Sequence, residues 1–482
     1  MATDGVTSLE GGFLLEYSVL SRSLGADTRS FGNGGLRGFS SVSIDSRSVG
    51  KGALFTALSG SAHDGHSFVE AAFINGADAA LVDRRKIEQY GLLQIAKVLG
   101  KTLIMVDDTL RALQDAARAY LEQFPRLIKI GITGSSGKTT TKEIAAAMIG
   151  AEKNTVMNPG NYNSETGMPL SAFAVRSCHE AGIFEMGMNR KGEIAELASV
   201  LNPGIASITN VGSAHIGIIG NLEAIALEKK DIFSRFNGTN TALIPEDSSF
   251  RELLAQGVKG KVSFYGEKSL AGFGGARSLG LDGSEISWAG ESVRFALPGR
   301  HNLANALAAA AIAREIPVSD RAIRQGLESV GPLFGRGEIL RGNVTVIQDC
   351  YNSNPESAAQ ALEFCESLDW PGRLVYVIGD MLELGDNSPK AHEDIGRLLL
   401  GSKADMVFLY GNEISPAAEV LKTGAVSFAH IRDMDELSRA LAAYARGGDL
   451  VLLKGSRGCA LERLSAALLP DVMRNQHEGV SA

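Results

Sequence analysis

The sequence predicts an α/β protein of three domains. A smaller amino-terminal α/β domain is followed by a central, mostly parallel sheet of the P-loop ATPase type, and then by a Rossmann-like α/β domain. Three observations carry this prediction. A chain of 482 residues is too long for one ordinary hydrophobic core, so it divides. From Leu127 onward, short apolar runs alternate with helical patterns, as parallel strands covered by helices require. A glycine-rich loop, Gly131–Thr140, lies between one such strand and a helix.

The first domain is read over residues 1–124. Two Gly/Ser-rich stretches, 25–38 and 50–65, precede an alternation in which Ala79–Asp83 and Thr102–Val106 read as short buried strands. An Ala-rich helical pattern over Arg111–Phe124 stops at Pro125, a residue that ends helices and here marks a boundary. The central domain, 125–331, opens on the apolar strand Leu127–Thr133. Further strands are expected at Gly182–Glu185, Gly204–Thr209 and Thr241–Ile244. A Gly-laden, β-rich stretch covers Gly260–Phe295, and Asn302–Glu315 is a strongly helical Ala run. The glycines and proline of Gly331–Gly337 mark a hinge or linker. In the third domain, 332–482, Val344–Gln348, Leu374–Ile378, Met406–Leu409 and Leu450–Leu453 read as strands, each followed by helical sequence. No tandem repeat is present, and disorder is expected only in the last few residues.

Composition narrows the function classes. The chain is 44% hydrophobic and 21% charged, normal for a globular enzyme. With 47 basic and 55 acidic residues, the net charge of -8 argues against a general nucleic-acid binder. A nucleotide site needs only a few local donors and stays open. Cys178, Cys350, Cys365 and Cys459 lie far apart with no CxxC pair, so reduced thiols are expected rather than disulfides or a zinc site. Met1–Gly12 lacks the basic and apolar parts of a signal peptide, and no apolar run approaches the ~18 residues that span a bilayer. The expectation is a soluble, cytoplasmic protein.

The glycines of Gly131-Ile-Thr-Gly-Ser-Ser-Gly-Lys-Thr-Thr140 free backbone N–H groups to face an anion, and the helix expected over Thr141–Gly150 adds positive potential at its start. Lys138 is placed to reach the β- and γ-phosphates and the Thr139 hydroxyl to ligate Mg²⁺. Ile132 stands where the strict pattern has glycine, so this is a shortened form, G-x-x-G-K-T-T. A Gly/Ser turn capping a helix would account for the glycines alone. It would not account for strand, lysine, hydroxyl and helix in that order. ATP or GTP binding follows.

Three further residues fall at or after strand ends, where open parallel sheets bind ligands. Glu185 could hold Mg²⁺ as a hard oxygen ligand or could cap a helix. His215, in Asn210-Val-Gly-Ser-Ala-His215, could be structural or catalytic. Lys229, in Leu227-Glu-Lys-Lys-Asp-Ile-Phe233, reads locally as a solvated helix charge.

In this order, the loop Thr133–Thr140, Glu185, His215 and the K-x-[DE]-I lysine resemble the Mur ligase family. The resemblance implies that Glu185, His215 and a carbamylated Lys229, with Lys230 the adjacent alternative, join Thr139 in holding two Mg²⁺ around the γ-phosphate. Lys138, His215 and Lys229 then carry the catalysis, and Gly134, Ser135, Ser136, Gly137, Lys138, Thr139 and Thr140 cradle ATP. His301-Asn-Leu-Ala-Asn305 is similar to the family's H-N-x-x-N helix start, which places Asn302 and Asn305 on adenine. Gly335-Arg336 and Asp349 match the opening of its carboxy-terminal domain, placing Arg336 and Asp349 on phosphate and ribose.

Tyr351-Asn-Ser-Asn-Pro355 and Asn158–Glu165 resemble the branch that adds D-alanyl-D-alanine, with Ser164 replacing an asparagine. Asn161, Asn163, Glu165, Tyr351, Asn352 and Asn354 are the substrate-binding residues this implies. Gly379–Gly385 and Lys454-Gly-Ser-Arg457 fit the same branch. Asp45-Ser-Arg47, Leu54–Leu58 and Asp64-Gly-His66 resemble its UDP-sugar-binding domain, with Ser46 and Arg47 on the substrate. The implied reaction joins D-alanyl-D-alanine to UDP-N-acetylmuramoyl-tripeptide through an acyl phosphate, in peptidoglycan precursor synthesis. The implied protein is a monomer without nucleic-acid or membrane partners.

Three other readings compete. The tripeptide-forming branch shares the amino-terminal domain, but its Asp-Asn-Pro-Arg segment is absent here. A folylpolyglutamate-type ligase has no place for an Asp-Ser-Arg UDP-binding domain. A P-loop switch or motor ATPase would hydrolyse ATP without needing an amino acceptor.

Overall fold

The computed structural model describes residues 13–32, 35–60 and 63–469. The expectations for Met1–Gly12 and for the final residues lie outside these.

The apolar run after Pro125 forms the strand Ile128–Thr133, which lies inside a six-stranded sheet. Its order is Lys261–Tyr265, Thr241–Pro245, Ile205–Ile208, Ile128–Thr133, Ala181–Glu185, Thr155–Met157, and every pair is parallel. The inner strands are buried along nearly their whole length, which is why they read as continuous apolar runs rather than alternating ones. The helices Lys138–Gly150, Arg300–Arg314 and Asp320–Ser329 pack together over one face.

The other face is covered by Glu193–Leu201, and on that helix and Gly167–Ala172 packs Thr109–Leu121. This last helix is the Ala-rich pattern read before Pro125. Its Tyr120 is fully buried and donates its hydroxyl to Val175 O at 2.6 Å. One apolar core therefore runs from the amino-terminal segment into the central sheet.

The amino-terminal sheet orders Asp27–Ser30, Thr102–Val106, Ala77–Asp83, Ala53–Thr56 and Val42–Ser43, with the first strand antiparallel to its neighbour. Asp27–Ser30 lies within a stretch read only as Gly/Ser-rich. It is polar and largely exposed, so no hydrophobic period announces it.

The carboxy-terminal sheet orders Glu338–Arg341, Thr345–Asp349, Leu450–Lys454, Leu374–Gly379, Met406–Tyr410 and Phe428–Ile431. The first pairs antiparallel and the rest parallel. The two strands not foreseen are its edges, again the least buried.

Only the first strand of the β-rich stretch joins the central sheet. Phe273–Ser278, Ser284–Trp288 and Glu291–Phe295 form a separate antiparallel sheet. Trp288 anchors it, buried beneath Arg314 and donating Nε1–H to Asp320 Oδ1 at 2.9 Å.

After Leu374–Gly379 the chain turns around a fully buried His392. Its Nε2 accepts from the Met381 N–H at 3.0 Å and its Nδ1 donates to Ser388 O at 2.8 Å, which selects the neutral Nδ1–H tautomer. Burial, partly opposed by the Ser388 carbonyl, holds its pKa below 6.5. The unfolded chain therefore takes up a proton that the folded chain refuses. Stability present above pH ~6.5 is lost as pH falls toward the folded pKa. The wild-type unfolding temperature is expected to fall more steeply than that of His392→Gln between about pH 6.5 and 5. Parallel slopes in a thermal melt series would refute this.

Candidate active site

Strand register brings the site together. Glu185 pairs with Ile132 and Ile208 with Thr133, so three neighbouring strands end at one level. The phosphate loop leaves Thr133 there. Gly137 takes φ +77° at the helix start, and a Cβ on it would lie 2.1 Å from Asn305 Oδ1, so only glycine fits. Asn210, just past the strand Ile205–Ile208, accepts from the Ser135 and Ser136 N–H groups at 3.0 and 2.9 Å. Its amide donates to Ser136 Oγ at 2.7 Å. The partly buried Lys138 donates to Gly134 O at 2.7 Å; its pKa is lowered by burial, with Glu185 opposing.

Thr139 Oγ1 donates to Glu185 Oε2 at 2.7 Å, and Asn163 Nδ2 to Glu185 Oε1 at 2.5 Å. The Glu185 backbone N–H is held by Asn158 Oδ1 at 2.9 Å. Behind this lies Lys142, fully buried, donating to Asn158 O at 2.6 Å and Gly160 O at 3.3 Å. It fastens the 158–163 loop against the phosphate-loop helix and so presents Asn163 to Glu185. Neither Lys142 nor Asn210 was foreseen. The available signal was a second lysine four residues after Lys138, on the same helix face.

His215 has φ +64° and caps a short helix. Its Nδ1 is shut off from solvent and lies 3.0 Å from Glu383 Oε2, off the line a hydrogen bond requires. The Glu383 carboxyl is held below its ordinary range by that ring, with burial opposing and Lys138 adding to the effect.

Lys229 is fully buried, and among the described residues its Nζ has only Met188 Sδ, at 4.0 Å, as a hydrogen-bond partner. Burial first, then the Lys138 charge, push its pKa well below that of an ordinary lysine. Adjacent Glu228 does not pair with it. Its oxygens accept from the Gly192 and Ile194 N–H groups at 2.8 and 3.1 Å, capping the helix Glu193–Leu201. Lys230 turns away to Leu253 O at 2.8 Å.

Among the described residues no three His, Cys, Asp or Glu side chains gather as a metal cluster. The donors that suit a hard cation are the Thr139 hydroxyl and Glu185 carboxylate, already in contact, with His215 beside them. Lys229 fits such a set only when its amine is converted to an anionic oxygen ligand.

A cavity of about 1060 Å³ joins these groups to the carboxy-terminal domain. Ser135 to Thr140, Asn161, Asn163, Glu185, His215, Asn302, Asn305, Arg336, Asp349, Tyr351, Asn352 and Asn354 all line it. Arg336 stacks on the Tyr351 ring at 4.1 Å, and Asp349 pairs with the buried Lys454 at 3.2 Å. Lys454 also donates to Asn352 O at 2.6 Å. Asn354 forms a capping box on the helix Pro355–Glu366, and Asn302 donates to Pro298 O at 2.8 Å. Lys454, Arg457, Glu246 and Lys268 line the cavity without having been assigned to it.

Gly134 and Lys229 lie outside this lining, behind the loop and behind Met188. Ser46, Arg47 and Glu165 are not brought to the cavity. Ser46 is buried and accepts from Asn75 through its carbonyl, Arg47 is bonded to Asp45 at 2.8 Å, and Glu165 pairs with Arg190 at 2.6 Å. Asp64 is likewise a brace. Burial alone would raise its pKa, but the bonds from Lys86, His66 and Tyr90 hold it far below the carboxylate range.

The chain was compared with known proteins. Family descriptions match in sequence order: "Mur ligase family, catalytic domain" over residues 39–121, "Mur ligase middle domain" over 132–313, and "Mur ligase, glutamate ligase domain" over 335–457. The UDP-N-acetylmuramoyl-tripeptide–D-alanyl-D-alanine ligase of Treponema pallidum (strain Nichols) is 44% identical over 440 residues, 90% of this chain and 95% of that protein. The enzyme of the same name from Bacillus subtilis (strain 168) is 34% identical, over 89% and 93%. A crystal structure of MurF from Acinetobacter baumannii superposes with a TM-score of 0.85 at 28% identity, covering 95% of this chain and 99% of that one. The MurF ligase from Thermotoga maritima in complex with ADP gives 0.76 at 26%, covering 90% and 98%.

Proposed function

Because the chain belongs to the Mur ligase family, we propose that it is the ATP-dependent ligase joining D-alanyl-D-alanine to UDP-N-acetylmuramoyl-tripeptide in peptidoglycan precursor synthesis. The observation that carries this is the single cavity. It gathers the phosphate loop, the Thr139–Glu185 pair and His215 on one side, with Arg336, Asp349, Tyr351 and Asn352 of the carboxy-terminal domain on the other. The relatives' names and the ADP complex of a structural neighbour support the same reading.

In the first step the terminal carboxylate of the tripeptide attacks the γ-phosphorus of ATP. An O–P bond forms, the bond to ADP breaks, and an acyl phosphate results. In the second step the amine of D-alanyl-D-alanine attacks the acyl carbon, the new C–N bond forms, a proton leaves the nitrogen and phosphate departs. Two anions must meet first, so charge neutralisation is the main task. Lys138 and the backbone N–H groups of the loop supply part of it.

Thr139, Glu185, His215 and a carbamylated Lys229 are the residues that would hold two Mg²⁺, and bound Mg²⁺ would add neutralisation at the γ-phosphate. Burial drives the Lys229 amine toward its uncharged form, the form that adds CO₂, releasing a proton and leaving an anionic carbamate. Asn163 holds Glu185 in place, and Lys142 holds the Asn158 and Gly160 carbonyls of the loop that carries Asn163.

Asn302 and Asn305 are assigned to adenine, Arg336 and Asp349 to phosphate and ribose. Asn161, Tyr351 and Asn352 face the acceptor side, where Glu165 and Asn354 act as braces. Ser46 and Arg47 lie beyond the cavity, so the uridine end of the substrate extends over the amino-terminal domain while its peptide end enters. The proposal includes a cytoplasmic, monomeric enzyme; no described helix is long and apolar enough to cross a membrane.

Phosphate release from ATP tests this. It is expected to require both UDP-N-acetylmuramoyl-tripeptide and D-alanyl-D-alanine. Equal release with ATP alone would replace the ligase reading with that of a regulatory ATPase.

A further inference from the structure

We infer that Glu383, in the carboxy-terminal domain, is a positioning residue for His215, so that the phosphate-side site is complete only when the two domains are closed on one another. The inference rests on the proposed metal role of His215 and goes beyond it, because it places the control of that ring in another domain.

Three contacts carry it. Glu383 Oε2 lies 3.0 Å from His215 Nδ1, an ionic approach that is not aligned as a hydrogen bond. Glu356, from the start of the helix Pro355–Glu366, accepts from the Ser213 N–H at 2.9 Å and from Ser213 Oγ at 2.8 Å, gripping the same loop two residues earlier. Two residues later, Gly217 lies backbone to backbone with Gly385. A Cβ on Gly217 would come within 2.5 Å of Gly385 N. Both carboxylates and the glycine contact thus converge on the five residues 213–217.

Backbone conformation points the same way. Among the described residues five non-glycine residues have positive φ, and His215 (+64°) and Glu383 (+67°) are two of them, facing each other. Side chains tolerate that region poorly, and such residues persist where the surroundings or a function hold them. A carboxylate beside one imidazole nitrogen restricts the ring's orientation and leaves the other nitrogen for a ligand. Here the carboxylate arrives only with the carboxy-terminal domain.

The test is Mn²⁺ binding to the full chain, followed by electron paramagnetic resonance with a non-hydrolysable ATP analogue and no acceptor, so that turnover plays no part. Wild type is compared with His215→Ala, Glu383→Gln, Glu383→Gly and Gly217→Ala. Both Glu383 variants are expected to weaken Mn²⁺ binding by about tenfold or more. Glu383→Gly, which suits φ +67°, should unfold no earlier than wild type, separating positioning from mere stability. Gly217→Ala should weaken Mn²⁺ binding as well, since its methyl group keeps the domains apart without touching either ionisable group. If His215→Ala weakens binding and the Glu383 variants do not, this inference falls and the metal reading stands. If His215→Ala binds Mn²⁺ like wild type, the metal reading falls and takes this inference with it. Wild-type binding in Gly217→Ala would overturn the dependence on closure.

Discussion

Lys138→Ala is expected to lower acceptor-dependent phosphate release by about a thousandfold or more, with the fold intact. The reaction forces a carboxylate toward a triphosphate, and Lys138 is the side-chain cation at the start of the phosphate-loop helix. Its own contact in the protein is one bond to Gly134 O, worth about 1 kcal/mol net. Against that stands the desolvation that lowers its pKa. Losing the side chain should therefore leave the unfolding temperature nearly unchanged while removing charge from the γ-phosphate. A single-turnover assay beside a thermal melt separates the two effects. Near-normal turnover would remove Lys138 from the mechanism.

Lys229→Met should be comparably inactive, by about a thousandfold, but for a different reason, and it should be more stable than wild type in CO₂-free buffer. Lys229 is fully buried without an oxygen partner among the described residues, and its pKa is well below that of an ordinary lysine. Between the folded pKa and the unfolded value near 10.4, the unfolded chain binds more protons than the folded one, so wild-type stability rises with pH across that window. The advantage of Lys229→Met is therefore largest below the folded pKa and closes as pH approaches about 10.4. Denaturation at several pH values measures it. Labelled ¹³CO₂ should give a carbamate resonance in wild type that is missing from Lys229→Met. A fully active Lys229→Met enzyme, or a wild type that takes up no label, would end the carbamate proposal.

These two proposed site lysines are read from the sequence in different ways. Lys138 was legible because strand, glycines, lysine and helix are contiguous, and backbone geometry over ten residues is enough to specify a phosphate loop. Lys229 was legible only through the order of motifs along the chain. Nothing in Leu227–Phe233 says that this lysine is buried while Lys230 turns to a carbonyl 23 residues away. Glu185 and His215, read from strand ends, line the same cavity as the phosphate loop. Ser46, Arg47 and Glu165 rest on short motif matches, and the structure ties the latter two into local ion pairs.

The sequence by itself determined the α/β class, the inner strands of the central and carboxy-terminal sheets, the phosphate loop and the family. Each is written in local hydrophobic periods or in residues at fixed spacing. Tertiary structure alone decided that one core runs through the boundary at Pro125, and that polar edge strands complete the sheets. It also decided that Lys142 and Asn210 brace the phosphate-loop region, and that Glu356 and Glu383 meet the loop that carries His215. Those residues act across separations such as the 143 residues between Ser213 and Glu356, where partners are chosen by how sheets and domains pack rather than by any pattern along the chain.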